Sequence, residues 1–423
     1  LISSDKIKDY YNILAYPSII FVIKSLAALL TLKIVAQYLG AAGILLYGVY
    51  IYISQIVNGL SVLGLQNFTV HEVALQNKDN IERHISQAYT IMLFFFLIIC
   101  IGISISDVFL EMSSLENEGL VTLYWCAAMS LTYALAMVLN SLVTGLGHSK
   151  TVYRMSLVNS LSILVSVSFG AIMYGKDGAM IGFSFSSAMY LVVNYLQLGV
   201  DERRYLLQLP RLPTLSWMLN YKNYVLIGLF SITLLPLFNI YIRLYVSDNF
   251  GVEYAGYQEA MVRISVLYTA IAASILSVYF MPRFSRVRTK ENFLNEMIYS
   301  ISFMGLCFLI GGTILYSLKY FFVKLILGES FQFIESIIGY YIIGDFFRSI
   351  GLCITYYILV KGKWKIYIVS EFAALVVFGI LYLNFVSWDV VLALGLPYVF
   401  GSLFYMVVML CIAALFYGRD MFT

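Results

Sequence analysis

The stretch FIESIIGYYIIGDFFRSIGLCITYYILV, residues 333–360, is long and apolar enough to cross a bilayer, yet Asp345 and Arg348 stand near its middle. A spanning helix needs about 20 mostly apolar residues. Runs of this kind recur along the whole chain of 423 residues. Hydrophobic residues make up 61% and charged residues 12% of the sequence, and the mean hydropathy is +0.87. Soluble domains carry about twice that charge. The apolar runs are continuous and do not alternate with polar residues, which excludes a β-barrel. The chain therefore reads as an all-α polytopic membrane protein.

Apolar spans fall near 15–38, 44–65, 87–106, 120–144, 155–174, 178–199, 224–246, 254–281, 298–318, 336–360, 366–386 and 390–416. Twelve spans put both termini on one side. Basic residues in the connections choose that side. Lys6, Lys8, Lys78, Arg83, Lys150, Arg154, Arg203, Arg204, Arg211, Lys222, Arg283, Arg286, Arg288, Lys290, Lys361, Lys363, Lys365 and Arg419 lie on the terminal side. Only Lys176, Lys319 and Lys324 lie opposite. This bias predicts cytoplasmic termini. It also reads the basic run PRFSRVRTK, residues 282–290, as a topology determinant rather than a binding site.

The connection around 201–223 holds two prolines and several charges, and it reads as a linker. It separates an N-terminal half, 1–200, from a C-terminal half, 224–423, with six spans each. LGHSK at 146–150 and KGKWK at 361–365 occupy corresponding turns of the two halves. Parallel repeats of this kind predict a transport site near the interface of the halves, around a central cavity.

Five basic residues remain inside spans: Lys24, Lys33, Arg243, Arg263 and Arg348. Each costs about 2.5–3.5 kcal/mol at a helix centre, so all five facing lipid would cost on the order of 15 kcal/mol. A wet cavity or an acidic partner is the better placement. Asp345 and Arg348, three apart, and Glu259 and Arg263, four apart, share helix faces and are expected to pair. These pairs serve either structure or gating and proton coupling. Arg243 and Lys33 lie near the far-side interface and are expected to snorkel. Lys24 falls near mid-span and has no acid in helical reach. Against Glu259, Asp345 and Glu371 the five bases leave a surplus of about two positive charges. Such a surplus between low-dielectric walls attracts anions, and Lys and Arg suit phosphate. An anion transporter follows.

Other features carry no chemistry. The five cysteines lie in apolar runs without metal spacing. His71, His84 and His148 lie in polar connections and read as solvated loop residues. No phosphate loop or nucleophile motif is present, so no cofactor and no ATPase of the chain's own is expected. KYFFVKLILGESFQF, residues 319–333, reads as a short interfacial helix.

The chain resembles the polysaccharide transporters of the multidrug/oligosaccharidyl-lipid/polysaccharide exporter superfamily, notably the Wzx flippases for O-antigen units and lipid III. LTLKIVAQYLGAAGILLYG (30–48), SVYFMPRFSRV (277–287), LILGESFQFIES (325–336), and IGDFFRSIG (343–351) followed by KGKWKIYIVSE (361–371) carry the resemblance. It implies a flippase that moves an undecaprenyl-pyrophosphate-linked oligosaccharide from the cytoplasmic to the periplasmic leaflet of the bacterial inner membrane. It implies basic cavity residues at Lys24 and Lys33, and a Gly-Asp-x-x-basic motif at Asp345 and Arg348. Pro282 and Arg286 match the family's close of span 8. Glu259, Arg263 and Arg243 rest on the charge argument alone.

The mechanism expected is alternating access, with a proton or sodium ion coupled through Asp345, Glu259 or Glu371. An O-antigen polymerase and a chain-length regulator are expected partners. The rivals are a cation-coupled multidrug exporter, a lipid II flippase, and a membrane enzyme such as the polymerase. Two lysines in span 1 argue against the first, twelve spans against the second, and the lack of a large loop against the third.

Overall fold

The computed structural model describes residues 4–75, 78–111 and 118–418. Every regular element among them is helical. The α-helices are α1 (Ser4–Val62), α2 (Leu65–Leu75), α3 (Lys78–Glu111), α4 (Glu118–Gly145), α5 (Ser149–Gln197), α6 (Val200–Leu206) and α7 (Leu215–Phe250). They continue with α8 (Val252–Ile275), α9 (Met281–Ser285), α10 (Lys290–Ser317), α11 (Lys319–Ile326), α12 (Ile334–Val360), α13 (Trp364–Phe385) and α14 (Val390–Gly418).

Among the described residues, eight helices are both long and apolar enough to cross a membrane: α1, α3, α4, α5, α10, α12, α13 and α14. Two of them, α1 and α5, are pairs of helices joined at a glycine. Gly40 has φ 65 and ψ −169, and Gly175 has φ 64 and ψ −138. A side chain at positive φ strains the backbone, so these turns call for glycine. The breaks fall where the sequence places its short far-side connections. With α7 and α8, which are also long, the described residues form twelve rods. The chain is a multi-pass α-helical membrane protein.

The chain divides into two compact units, Leu1–Tyr241 and Ile242–Thr423, with the boundary inside α7. In the first unit the two arms of α5 fold against each other as a hairpin. A Cβ on Gly170 would lie 1.9 Å from the Gly178 carbonyl oxygen, and one on Gly182 would lie 2.3 Å from that of Ser166. Only bare backbone permits that approach. Small polar residues then knit α1, α4 and α5 together. Tyr50 shares a 2.5 Å bond with Ser184, and Thr132 shares a 2.7 Å bond with Ser187. Such small-residue packing holds helices together where lipid removes the hydrophobic drive.

A second core of this unit surrounds His84, which is buried and not solvated as expected. Trp217 donates Nε1–H to His84 Nδ1 at 3.0 Å. That leaves the proton on Nε2, which faces Thr69 Oγ1 at 3.2 Å. The rings of Phe68 and Trp217 pack beside it. His71 and His148 are exposed, as the sequence implies.

In the second unit, α12 and α14 run parallel at close range. A Cβ on Gly344 would meet the Tyr398 ring at 2.4 Å, and a Cβ on Gly351 would meet the Tyr405 ring at 2.7 Å. Two glycines seven residues apart thus seat two tyrosines seven residues apart, which is the repeat of one helix face. After Ile275, α8 continues through a π-helical turn, Leu276–Phe280, into α9. Pro282 follows that turn. Proline removes a helical hydrogen bond and crowds the preceding turn, and a locally wider turn relieves both. The segment 319–331 forms α11 and a single 3₁₀ turn, Glu329–Phe331, in line with the short helix expected there.

Candidate functional site

In the second unit the site is built on α8. Arg243, near the end of α7, donates Nε–H to Glu259 Oε2 at 2.7 Å. Arg263 donates Nε–H to Glu259 Oε1, also at 2.7 Å. The Glu259 side chain is fully buried and that of Arg243 is 3% exposed, while Arg263 is 26% exposed. One carboxylate therefore bridges two guanidinium groups. Gln258 extends the cluster by accepting from Arg243 Nη1 at 3.2 Å and donating to the Tyr382 hydroxyl at 2.6 Å.

This arrangement confirms the expected Glu259–Arg263 pair and corrects the expectation for Arg243. Its side chain does not snorkel. It is buried against an acid sixteen residues away, on the neighbouring helix, outside the reach of any single-helix argument.

The second correction concerns Asp345 and Arg348. They share a helix face, but no ion pair within 4.0 Å joins them among the described residues. The fully buried Asp345 carboxylate instead accepts three hydroxyls. Ser265 donates to Oδ2 at 2.6 Å, Tyr268 donates to Oδ2, and Tyr398 donates to Oδ1. Gly344 makes the last bond possible, because the Tyr398 ring lies where a Cβ would stand. Three neutral donors satisfy a carboxylate without neutralising it. A proton or a small cation can join such a site at lower cost than at an existing salt bridge.

Glu371, on α13, is half-buried and accepts from the Tyr405 hydroxyl at 2.9 Å. That hydroxyl also shares a 2.6 Å bond with Thr355. Arg348 is half-buried, with Asp345 and Glu371 as its acidic electrostatic neighbours. The Tyr341 ring stacks on Tyr398 at 4.4 Å and steadies it. The hydroxyl groups of this site were not singled out from sequence. The signal available was the matched seven-residue spacing of Gly344 and Gly351 with Tyr398 and Tyr405.

The first unit holds Lys24 and Lys33, both half-buried on the first arm of α1. Lys24 lies in the stripe of Ile20, Ala27, Thr31 and Val35, all of them buried. It therefore sits on the protein-facing side of its helix, while Val22, Leu26 and Leu30 are exposed. Neither lysine has an ion-pair partner among the described residues. Lys33, nine residues on, occupies roughly the opposite face. Sorting the eight ionisable groups by unit changes the charge argument. Arg243, Arg263 and Arg348 balance Glu259, Asp345 and Glu371 within the second unit. The surplus of two positive charges resides on Lys24 and Lys33.

No family model matches the chain. Over 370 residues it is 22% identical to the lipid III flippase of Escherichia coli (strain K12), covering 84% of this chain and 86% of that protein. The lipid III flippase of Shigella flexneri is similar to the same degree. The fold is similar to that of the lipid II flippase MurJ in an inward closed conformation. The TM-score is 0.71 at 14% identity, over 94% of this chain and 87% of that one. An outward-facing multidrug-resistance MATE transporter of the MOP superfamily gives a TM-score of 0.61 at 14% identity, over 96% of both chains. These relatives bear out the resemblance read from the sequence, and the chain has the all-α transporter fold that MurJ and the MATE proteins share.

Proposed function

We propose that this chain is a flippase of the bacterial inner membrane that carries an undecaprenyl-pyrophosphate-linked oligosaccharide between leaflets. It is read as a transporter and not as an enzyme. The observation that carries the reading is the unbalanced pair Lys24 and Lys33 in a chain related to lipid III flippases. A pyrophosphate diester bears about two negative charges, which matches the surplus on the two lysines. Lys24, on the protein-facing side of α1, is the pyrophosphate ligand. Arg263, the more exposed arginine of its cluster, is the anion contact offered by the second unit.

Alternating access moves the cargo, with both termini cytoplasmic and the 1–200 and 224–423 segments as the moving halves. Asp345 couples a proton or sodium ion to the cycle, because among the described residues it is the fully buried acid without an ion pair. Glu259 is committed to two arginines and serves structure. Glu371 and Arg348 gate the coupling site through Tyr405. Delivery to an O-antigen polymerase and its chain-length regulator is the downstream step.

Leaflet translocation of a short undecaprenyl-pyrophosphate oligosaccharide in proteoliposomes tests the reading. The wild type is expected to translocate it, Lys24→Ala to lose at least tenfold in rate, and Lys24→Arg to retain most of it. Absence of translocation by the wild type under imposed ion gradients, together with expulsion of cationic dyes, would transfer the assignment to drug export.

A further inference from the structure

Lys361 donates its ammonium to the Val287 carbonyl at 2.7 Å. That bond joins two connections 74 residues apart: the turn that follows α9 and the turn between α12 and α13. Arg286 and Arg288 on the first turn are exposed, and Lys363 on the second is half-buried. Lys290 lies over the Tyr417 ring at 5.7 Å, which brings the last turn of α14 to the same end of the unit.

The two connections and the first turns of α10 carry five basic side chains, Arg286, Arg288, Lys290, Lys361 and Lys363, against Glu291 and Glu296. Glu296 is already taken by Arg283, with both oxygens engaged at 2.9 Å. Burial, and behind it the neighbouring Arg288, pull the Lys361 ammonium below the ordinary lysine range, as expected for a cation crowded by another. Bias in membrane topology explains why bases lie in these turns. It does not explain why they converge against so few carboxylates. Connections of the first unit set acids against bases, with Glu82 3.4 Å from Arg204 and Glu202 2.6 Å from His148. Just below the basic end, α10 and α13 present exposed Leu294, Ile298, Val369 and Phe372. A charged rim above bare apolar helix faces matches the profile of a phospholipid, with its head outside and its chains alongside.

We propose that this end of the second unit binds an anionic phospholipid bearing two phosphates, such as cardiolipin, through Arg286, Arg288 and Lys363. Its acyl chains run along the exposed faces of α10 and α13. Basic pockets between membrane helices bind such headgroups by charge and proximity. The inference rests on membrane placement alone and holds whatever the cargo.

The test follows the thermal unfolding midpoint of the purified full chain in detergent as cardiolipin or phosphatidylcholine is added. The variants are the triple Arg286→Gln, Arg288→Gln, Lys363→Gln, and the distant control Lys150→Gln, Lys222→Gln. Each basic residue near a membrane surface contributes about fivefold in affinity, so the triple variant is expected to need roughly 100-fold more cardiolipin. The wild type and the distant control are expected to rise by several degrees with cardiolipin and not with phosphatidylcholine. An equal cardiolipin response in the triple variant would overturn the proposal, as would an equal response to phosphatidylcholine in the wild type. Inorganic pyrophosphate reproducing the rise in the wild type and the distant control but not in the triple variant would show a phosphate site and not a lipid site at these turns, and would overturn it too. Should the triple variant unfold without lipid, the charge-retaining set Arg286→Lys, Arg288→Lys, Lys363→Arg must keep the response.

Discussion

Arg243 Nε lies 2.7 Å from Glu259 Oε2, with both side chains buried. This ion pair joins α7 to α8, and Arg263 shares the same carboxylate. Removing the acid takes from both guanidinium groups the buried carboxylate they share. Breaking a buried pair on one side costs about 3–5 kcal/mol. Glu259→Gln is therefore expected to lower the thermal unfolding midpoint markedly, and Arg243→Met with Glu259→Leu to lower it less. Both midpoints are measurable by intrinsic fluorescence in detergent. A Glu259→Gln midpoint equal to that of the wild type would show that the pair contributes nothing to stability.

Gly344 is the seat of Tyr398. A Cβ there would come within 2.4 Å of the ring, and the ring hydroxyl holds Asp345. Overpacking of this kind costs about 1–3 kcal/mol. Gly344→Ala is expected to destabilise by that amount and to slow transport at least as far as Tyr398→Phe does. Transport assays on both variants, at matched protein insertion, check the ordering. A Gly344→Ala protein with full transport would separate the ring's seat from its role.

Much of the architecture was legible in the chain because lipid enforces it. Every backbone group in a bilayer must be satisfied within the segment, so long apolar runs become helices. The turns at Gly40 and Gly175 fell where the runs were expected to break. Asp345, Glu259 and Arg243 were found because a charge in an apolar run is conspicuous. Their partners were not, because partnership across helices depends on packing that the run itself does not encode. Arg243 has no acid within one helical turn, and its acid comes from the neighbouring helix. Asp345 has a base one turn away and ignores it in favour of hydroxyls from α8 and α14. Tyrosine is too common here to stand out, with 35 copies. His84 was misread because the local sequence around it is polar, while its burial comes from Trp217, 133 residues away.

The α5 hairpin makes a paired prediction about glycine. Gly182 has the Ser166 carbonyl oxygen 2.3 Å from any added Cβ, and backbone cannot step aside as a side chain can. A Cβ added at Gly102, on α3, would meet nothing within 4 Å. Gly182→Ala is expected to cost about 2 kcal/mol or more, while Gly102→Ala is expected to be neutral or slightly stabilising through helix propensity. Unfolding midpoints of the two variants, compared in one detergent, settle the contrast. Equal midpoints would mean that the hairpin arms separate freely.

Asp345 supports the sharpest test of coupling. Its three hydroxyl donors come from Ser265, Tyr268 and Tyr398, and none of them brings a charge. Asp345→Asn keeps the shape and offers one carbonyl oxygen to the same donors, but it neither gains nor loses a proton. Folding is expected to change by about 1 kcal/mol or less, since a buried charge is removed along with part of its hydrogen bonding. Transport driven by an ion gradient is expected to fall at least tenfold. Exchange of cargo between leaflets without a gradient is expected to survive, because Lys24, the proposed anion ligand, is untouched. A fluorescent lipid-linked oligosaccharide in proteoliposomes, followed with and without an imposed proton or sodium gradient, measures both. Equal loss of driven and undriven movement would make Asp345 a structural residue. Full retention of the driven rate would remove it from the coupling step and leave Glu371 as the next carboxylate to replace.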